Sequence, residues 1–132
     1  MDNFASIKIL VVDDEPDNVE LLMAFLGDFD YDVHGLTDSQ QALAEIANLL
    51  PDLVLLDVRM PHINGLEIAE EMRLSEDMKD IPIIFVSAQD DAATMSEGFK
   101  QHAMDYIVKP IDFQQLLTSI QSSLKLRNTN QS

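Results

Sequence analysis

Apolar positions along this chain alternate between two spacings. Short runs suited to buried strands occur at 7–12 ("IKILVV"), 53–56 ("LVLL") and 81–86 ("IPIIFV"), with shorter ones at 31–35 ("YDVHG") and 104–108 ("MDYIV"). Between them, apolar residues recur at three- and four-residue intervals, the spacing of one helix face. Pro16 opens the first such segment, which carries Val19, Leu22, Met23 and Leu26 and stops near Gly27 or Asp28. Asp38 with Gln41 predicts a capped helix through Leu43, Ile46, Leu49 and Leu50, and Asn64 with Glu67 one through Leu66, Ile68, Ala69 and Met72. A weaker helix is predicted over 91–101 around Met95 and Phe99. Asp112 with Gln115 predicts a last one bearing Leu116, Leu117, Ile120 and Leu124.

The order is thus β-α, five times over. Near-continuous apolar strands separated by amphipathic helices predict an α/β domain: a doubly wound parallel sheet covered by helices on both faces, three layers in all. A length of 132 residues suits one such domain. The closing "RNTNQS" reads as a polar, frayed tail or the stub of a linker.

Composition narrows the function. The chain has 24 acidic and 8 basic residues, a net charge of −16. A field of that sign repels nucleic acid and anionic membranes, so direct binding to either is not expected. Most of these carboxylates serve solubility. Cysteine is absent, which removes disulfides, thiolate metal sites and thiol nucleophiles from consideration. The first residues lack a signal-peptide pattern, and no apolar run reaches the ~20 residues of a membrane helix. A cytoplasmic location is the expectation.

The candidate chemistry lies where the strands end. The first strand runs into Asp13, Asp14 and Glu15, the third into Asp57, the fourth into Ser87 and the fifth into Lys109 and Pro110. Open parallel sheets bind ligands beyond the carboxyl ends of their strands. Four distant segments therefore deliver three aspartates, a hydroxyl and an ammonium to one edge. Carboxylates about 5 Å apart repel by roughly 3 kcal/mol at an effective dielectric near 20, and one lysine cannot offset three such groups. A hard divalent cation, Mg²⁺ or Mn²⁺, suits an all-oxygen set of this kind and is completed by phosphate oxygens. Asp57, alone on its strand, is placed to attack a phosphoryl group as a nucleophile.

Each residue also has an ordinary role open to it. Asp13 and Asp14 precede a helix and could cap it. Asp57 and Ser87 could serve turns, and Lys109 could be a solvated lysine. It is the conjunction at four strand ends that favours chemistry.

"ILVVDDEP", "LVLLDVRMPHINGLE", "IIFVSA" and "DYIVKP", in that order and spacing, resemble the motifs of response-regulator receiver domains of bacterial two-component signalling. The resemblance covers about residues 6–126. It implies a single flavodoxin-like (βα)5 domain with strand order 2-1-3-4-5 and a cis Lys109–Pro110 bond. It implies that Asp57 accepts a phosphoryl group from a sensor histidine kinase or a histidine phosphotransfer protein. Mg²⁺ would be held by Asp14, Asp57 and the backbone carbonyl of Arg59, with Asp13 acting through water. Lys109 and Ser87 would contact the phosphoryl group, and Ser87 with Tyr106 would form the switch. The surface of the fourth helix, fifth strand and last helix would then choose an output domain or partner, a phosphorylation-dependent homodimer among the options. The chain would not be a dedicated turnover enzyme.

Two departures from the family pattern stand out. His102 occupies a position where glycine is usual, and Ile111 one that is often phenylalanine. Arg59 and Gln89, each two residues beyond a site residue, are candidates to tune phosphoryl lifetime. Three other readings stand beside the receiver-domain one. A haloacid-dehalogenase-like phosphatase would carry an acid two residues after its nucleophile, where this chain has Arg59. A flavodoxin would not offer "DDEPDN" to a phosphate dianion. The full acidic set argues against a phosphorylation-independent interaction module on the same fold.

Overall fold

Five short β-branched and leucine-rich runs pair into one sheet in a computed structural model that describes residues 6–88 and 105–131, with side chains through Lys125. In chain order the elements are β1 (Lys8–Val12), α1 (Pro16–Gly27), β2 (Asp32–Leu36), a 3-10 turn (Ser39–Gln41), α2 (Ala42–Leu49), β3 (Leu53–Asp57), α3 (Gly65–Arg73), β4 (Ile83–Ser87), β5 (Asp105–Val108) and α4 (Phe113–Gln131). All strand pairs are parallel and the order is β2-β1-β3-β4-β5, as the family resemblance implies. The helix predicted over 91–101, with Gln89 and His102, lies outside the described residues.

The two faces follow from the period of two along each strand. Ile9, Val11, Leu53, Leu55, Ile84 and Ile107 pack with Val19, Leu22 and Leu26 of α1 and with Leu116, Ile120 and Leu124 of α4. Their alternates Leu10, Val12, Val54, Leu56, Ile83 and Phe85 pack with Ala42 and Ile46 of α2 and with Ile68, Ala69 and Met72 of α3. Right-handed crossovers explain the split: the chain moves outward from β1 to β2 through α1, then back past β1 through α2, so the two helices take opposite faces. β2 is the half-exposed edge. Gly35 within it lies so close to α1 that a Cβ would strike Val19 and Met23.

Several boundaries differ from the sequence expectation. β2 runs one residue later, because its ladder with β1 continues to Val12 opposite Leu36. β4 starts at Ile83, and Pro82, which has no N–H, contributes its carbonyl to Val54 N–H at 3.0 Å. The Asn64–Glu67 capping box forms in full. Asp38 instead receives the Gln40 N–H at 3.0 Å, so a 3-10 turn precedes α2. Asp112 caps α4 by accepting from the N–H groups of Gln114 and Gln115. The tail expected to fray from residue 127 continues α4 to Gln131. Residues 113–131 contain neither glycine nor proline, and extending an existing helix adds one hydrogen bond per residue fixed.

Candidate functional site

Strand parity places the site. Continuing the face of Ile9 and Val11 brings up Asp13, continuing Leu53 and Leu55 brings up Asp57, and continuing Ile107 brings up Lys109. The three therefore emerge together at the carboxyl edge, on the α1 side, where strand order reverses between β1 and β3. Ser87 has the opposite parity. It shares the face of Phe85, and Phe85 lies in register with Tyr106.

The distances bear this out. Lys109 Nζ stands 3.5 Å from Asp57 Oδ1, 3.5 Å from Asp57 Oδ2 and 3.7 Å from Asp13 Oδ2. Asp13, Asp14 and Asp57 each present an oxygen within 4.8 Å of the others. Asp57 is 4% exposed and Asp13 3%, while Asp14 is half-buried. The sequence left capping open for Asp13, but the N-cap of α1 is Glu15, with no side-chain cap hydrogen bond; Asp13 Oδ1 accepts the Glu15 N–H at 2.9 Å and Oδ2 accepts from Asn18 Nδ2 at 3.3 Å. Asp13 still offers an oxygen to the cluster. Lys109 is itself anchored by its N–H to the Ser87 carbonyl at 2.7 Å and is followed by a cis bond to Pro110.

Burial and the Asp13 charge push the Asp57 carboxyl up from 3.8 to about 7; Lys109 opposes the shift, and Asp14 adds to it. One ammonium therefore does not neutralise the cluster. A divalent cation would, and the donor set is all oxygen, which fits Mg²⁺ or Mn²⁺. A second uncompensated group lies beside it. The Ser87 hydroxyl is buried and, among the described residues, has no hydrogen-bond partner. Such a donor is costly unless an acceptor reaches it, and an oxygen-rich group above Asp57 would supply one. Tyr106 is 39% exposed on the outer strand β5.

Sequence reasoning passed over three residues that shape this edge. A Cβ on Gly65 would run into the backbone carbonyl of Asp57, so only glycine lets α3 start this close beneath the nucleophile candidate. The Asn-Gly pair before a helix was the available signal. Asn18 steadies both Asp13 and Glu15, the latter at 2.9 Å. His62, in the loop after Asp57, has φ 74°. With Ile63 N–H bonded to the Pro61 carbonyl at 2.9 Å, this is a γ-turn of the rarer positive-φ kind, a conformation that costs about 1–3 kcal/mol. Nothing in a lone histidine announces that. Where the family often has phenylalanine, Ile111 lines a cavity of about 300 Å³ with Asn18, Leu21, Lys109 and Phe113. Phe113 packs on Phe25 at a ring separation of 4.7 Å.

Comparison with known proteins identifies the family. The family model for the response regulator receiver domain matches residues 9–121. Response regulator MprA of Mycobacterium sp. (strain KMS) is 37% identical over 119 residues, 90% of this chain and 51% of that protein. The DNA-binding response regulator MtrA of Mycolicibacterium smegmatis is 33% identical over 89% of this chain and 50% of its own length. For response regulator PleD of Caulobacter vibrioides the figures are 35%, 92% and 27%. The chain thus spans about half or less of these relatives. Chemotaxis protein CheY4 of Vibrio cholerae superposes with a TM-score of 0.82 at 28% identity, covering 90% of this chain and 99% of that one. The receiver domain of Francisella response regulator 1452 gives 0.81 at 25%, covering 91% and 98%. Matched across nearly its whole length in both sequence and fold, the chain belongs to the response-regulator receiver domain family of two-component signalling.

Proposed function

We propose that this chain is a phosphorylation-driven signalling module in which Asp57 takes a phosphoryl group from the phosphohistidine of a sensor histidine kinase or a histidine phosphotransfer protein. The observation that carries the reading is the Lys109 ammonium held 3.5 Å from both Asp57 oxygens, beside two further carboxylates, in a chain of this family. A carboxylate oxygen of Asp57 attacks phosphorus and the new O–P bond forms as the P–N bond to the donor breaks. The electron pair stays on the imidazole, which leaves neutral when its other nitrogen carries the proton. Attack by water on the same phosphorus later returns Asp57 and inorganic phosphate. The chain is thus a phosphoacceptor rather than a dedicated enzyme.

Asp14, Asp57 and the Arg59 carbonyl, with Asp13 through water, would hold Mg²⁺ (or Mn²⁺), which supplies charge neutralisation for the phosphoryl oxygens. Lys109, whose backbone N–H bonds to the Ser87 carbonyl, pairs with one phosphoryl oxygen. The buried Ser87 hydroxyl donates to another. Drawing Ser87 toward the edge alters the face it shares with Phe85 and Tyr106, and Tyr106 turns inward as the two-state element. The surface of β5 and α4, with the helix expected over 91–101, then selects an output domain or partner; a homodimer formed on phosphorylation is one such outcome. Residues of about 6–126 form the single working domain, acting in the cytoplasm.

The test is incubation of the chain with acetyl phosphate and Mg²⁺, followed by mass spectrometry. A phosphoryl group labile to base and to hydroxylamine on the peptide containing Asp57, absent in Asp57→Asn and absent with chelator, is expected. A phosphoryl group located on another residue sinks the assignment.

A further inference from the structure

The loop between Asp57 and α3 carries the Arg59 carbonyl and the His62 γ-turn. Its base is closed by Gly65 N–H to the Val58 carbonyl at 2.9 Å. Its tip is reached from elsewhere in the chain. Ser39, at the start of the 3-10 turn before α2, is buried, and its Oγ donates to the Pro61 carbonyl at 2.6 Å. That same carbonyl accepts the Ile63 N–H that closes the γ-turn at 2.9 Å. Two donors thus converge on one oxygen, one from within the strained turn and one from 22 residues upstream.

A strained conformation persists only where its surroundings over-determine it. We infer that Ser39 is a positioning residue for the phosphoacceptor site: its hydroxyl holds the Pro61 carbonyl, keeps the His62 γ-turn formed and so fixes the course of the chain between Asp57 and Gly65. The inference rests on the function proposed above for its consequence, because the Arg59 carbonyl in this segment is the proposed metal ligand. Its structural half stands independently. Ser39 touches none of the reacting groups and acts through backbone geometry alone. Outer groups that orient metal ligands matter nearly as much as the ligands.

The experiment compares wild-type chain with Ser39→Ala, Ser39→Thr, His62→Gly and the Ser39→Ala/His62→Gly pair. Two readouts are taken: amide hydrogen exchange at Ile63 without metal, and Mg²⁺ titration followed by the Gly65 amide resonance. Ser39→Ala is expected to speed Ile63 exchange and weaken Mg²⁺ binding about tenfold, with the thermal midpoint recorded to separate this from global unfolding. Ser39→Thr, which keeps the hydroxyl, restores both. Glycine adopts positive φ without strain, so in the His62→Gly background removing the Ser39 hydroxyl changes Mg²⁺ affinity by less than about threefold, the non-additivity expected of a coupled pair. Unchanged Ile63 exchange together with unchanged Mg²⁺ affinity in Ser39→Ala overturns the inference. A wild-type chain that binds no Mg²⁺ overturns the proposed function instead, and the Ile63 exchange still decides the role of Ser39.

Discussion

Lys109 reaches Asp57 across 52 residues of chain and two strand positions, and its ammonium sits equidistant, at 3.5 Å, from the two carboxylate oxygens. Despite that contact the Asp57 carboxyl is pushed up to about 7, because burial and Asp13 outweigh the lysine. The site is therefore under-neutralised at physiological pH.

Asp57→Asn removes a charge the fold holds at a cost. The folded value of about 7 exceeds the ordinary 3.8, so folding favours the protonated acid. That stabilisation is full below about pH 4 and is lost as pH rises through 7. The advantage of the neutral asparagine should accordingly grow between pH 4 and 7 and level off above. A gain of roughly 1–2 kcal/mol at pH 8 is expected after allowing for solvent near the edge, measured by urea unfolding. An equal gain at pH 4 and pH 8 contradicts the assignment.

Mg²⁺ should raise the thermal midpoint of the wild-type chain at pH 8, since a ligand bound to the folded state alone stabilises it by mass action. Because the ion competes with the Asp57 proton, its affinity should fall as pH drops below about 7. Calorimetry in two buffers of different ionisation enthalpy would register the proton released on binding at pH 6.5. Asp14→Asn should lose most of the effect.

Lys109→Met takes away the charge that lowers the Asp57 carboxyl, so its titration should move upward from about 7. Carbon-13 NMR of the carboxyl group reads this directly. Phosphorylation by acetyl phosphate should slow by roughly a hundredfold, the scale seen when one preorganised charge-stabilising donor is removed. A downward move of the titration would show that Lys109 does not face Asp57 in solution.

Gly65→Ala forces a methyl group into the Asp57 backbone. Something must shift, and a loss of about 2–3 kcal/mol is expected from overpacking at this site. Chemical-shift changes should centre on Asp57 and Val58. Asp57 should accept phosphoryl groups poorly even at temperatures where the variant is folded.

Leu50→Gly is expected to act the other way. Leu50 ends α2 in the left-handed region, with φ 47°, and its side chain is 49% exposed. Glycine takes that conformation without the Cβ penalty and loses little packing, so the variant should gain about 0.5–1 kcal/mol. Phosphorylation, read at the far edge of the sheet, should be unaffected.

The linear chain by itself determined the layer order, the parallel sheet and the donors at its edge. Periods of two and of three to four, and an acid, hydroxyl or amine after each buried run, are local facts. So was the Asn64–Glu67 cap, complete within four residues. What the tertiary structure decided is whatever depends on two distant segments touching. The Pro61 carbonyl gains its second donor from Ser39, Gly65 is needed because Asp57 lies against it, and the Ser87 hydroxyl is left without an acceptor among the described residues. Side-chain periodicity records which face a residue occupies. It does not record how closely the backbone of one element approaches another, and at this edge that distance sets both strain and charge.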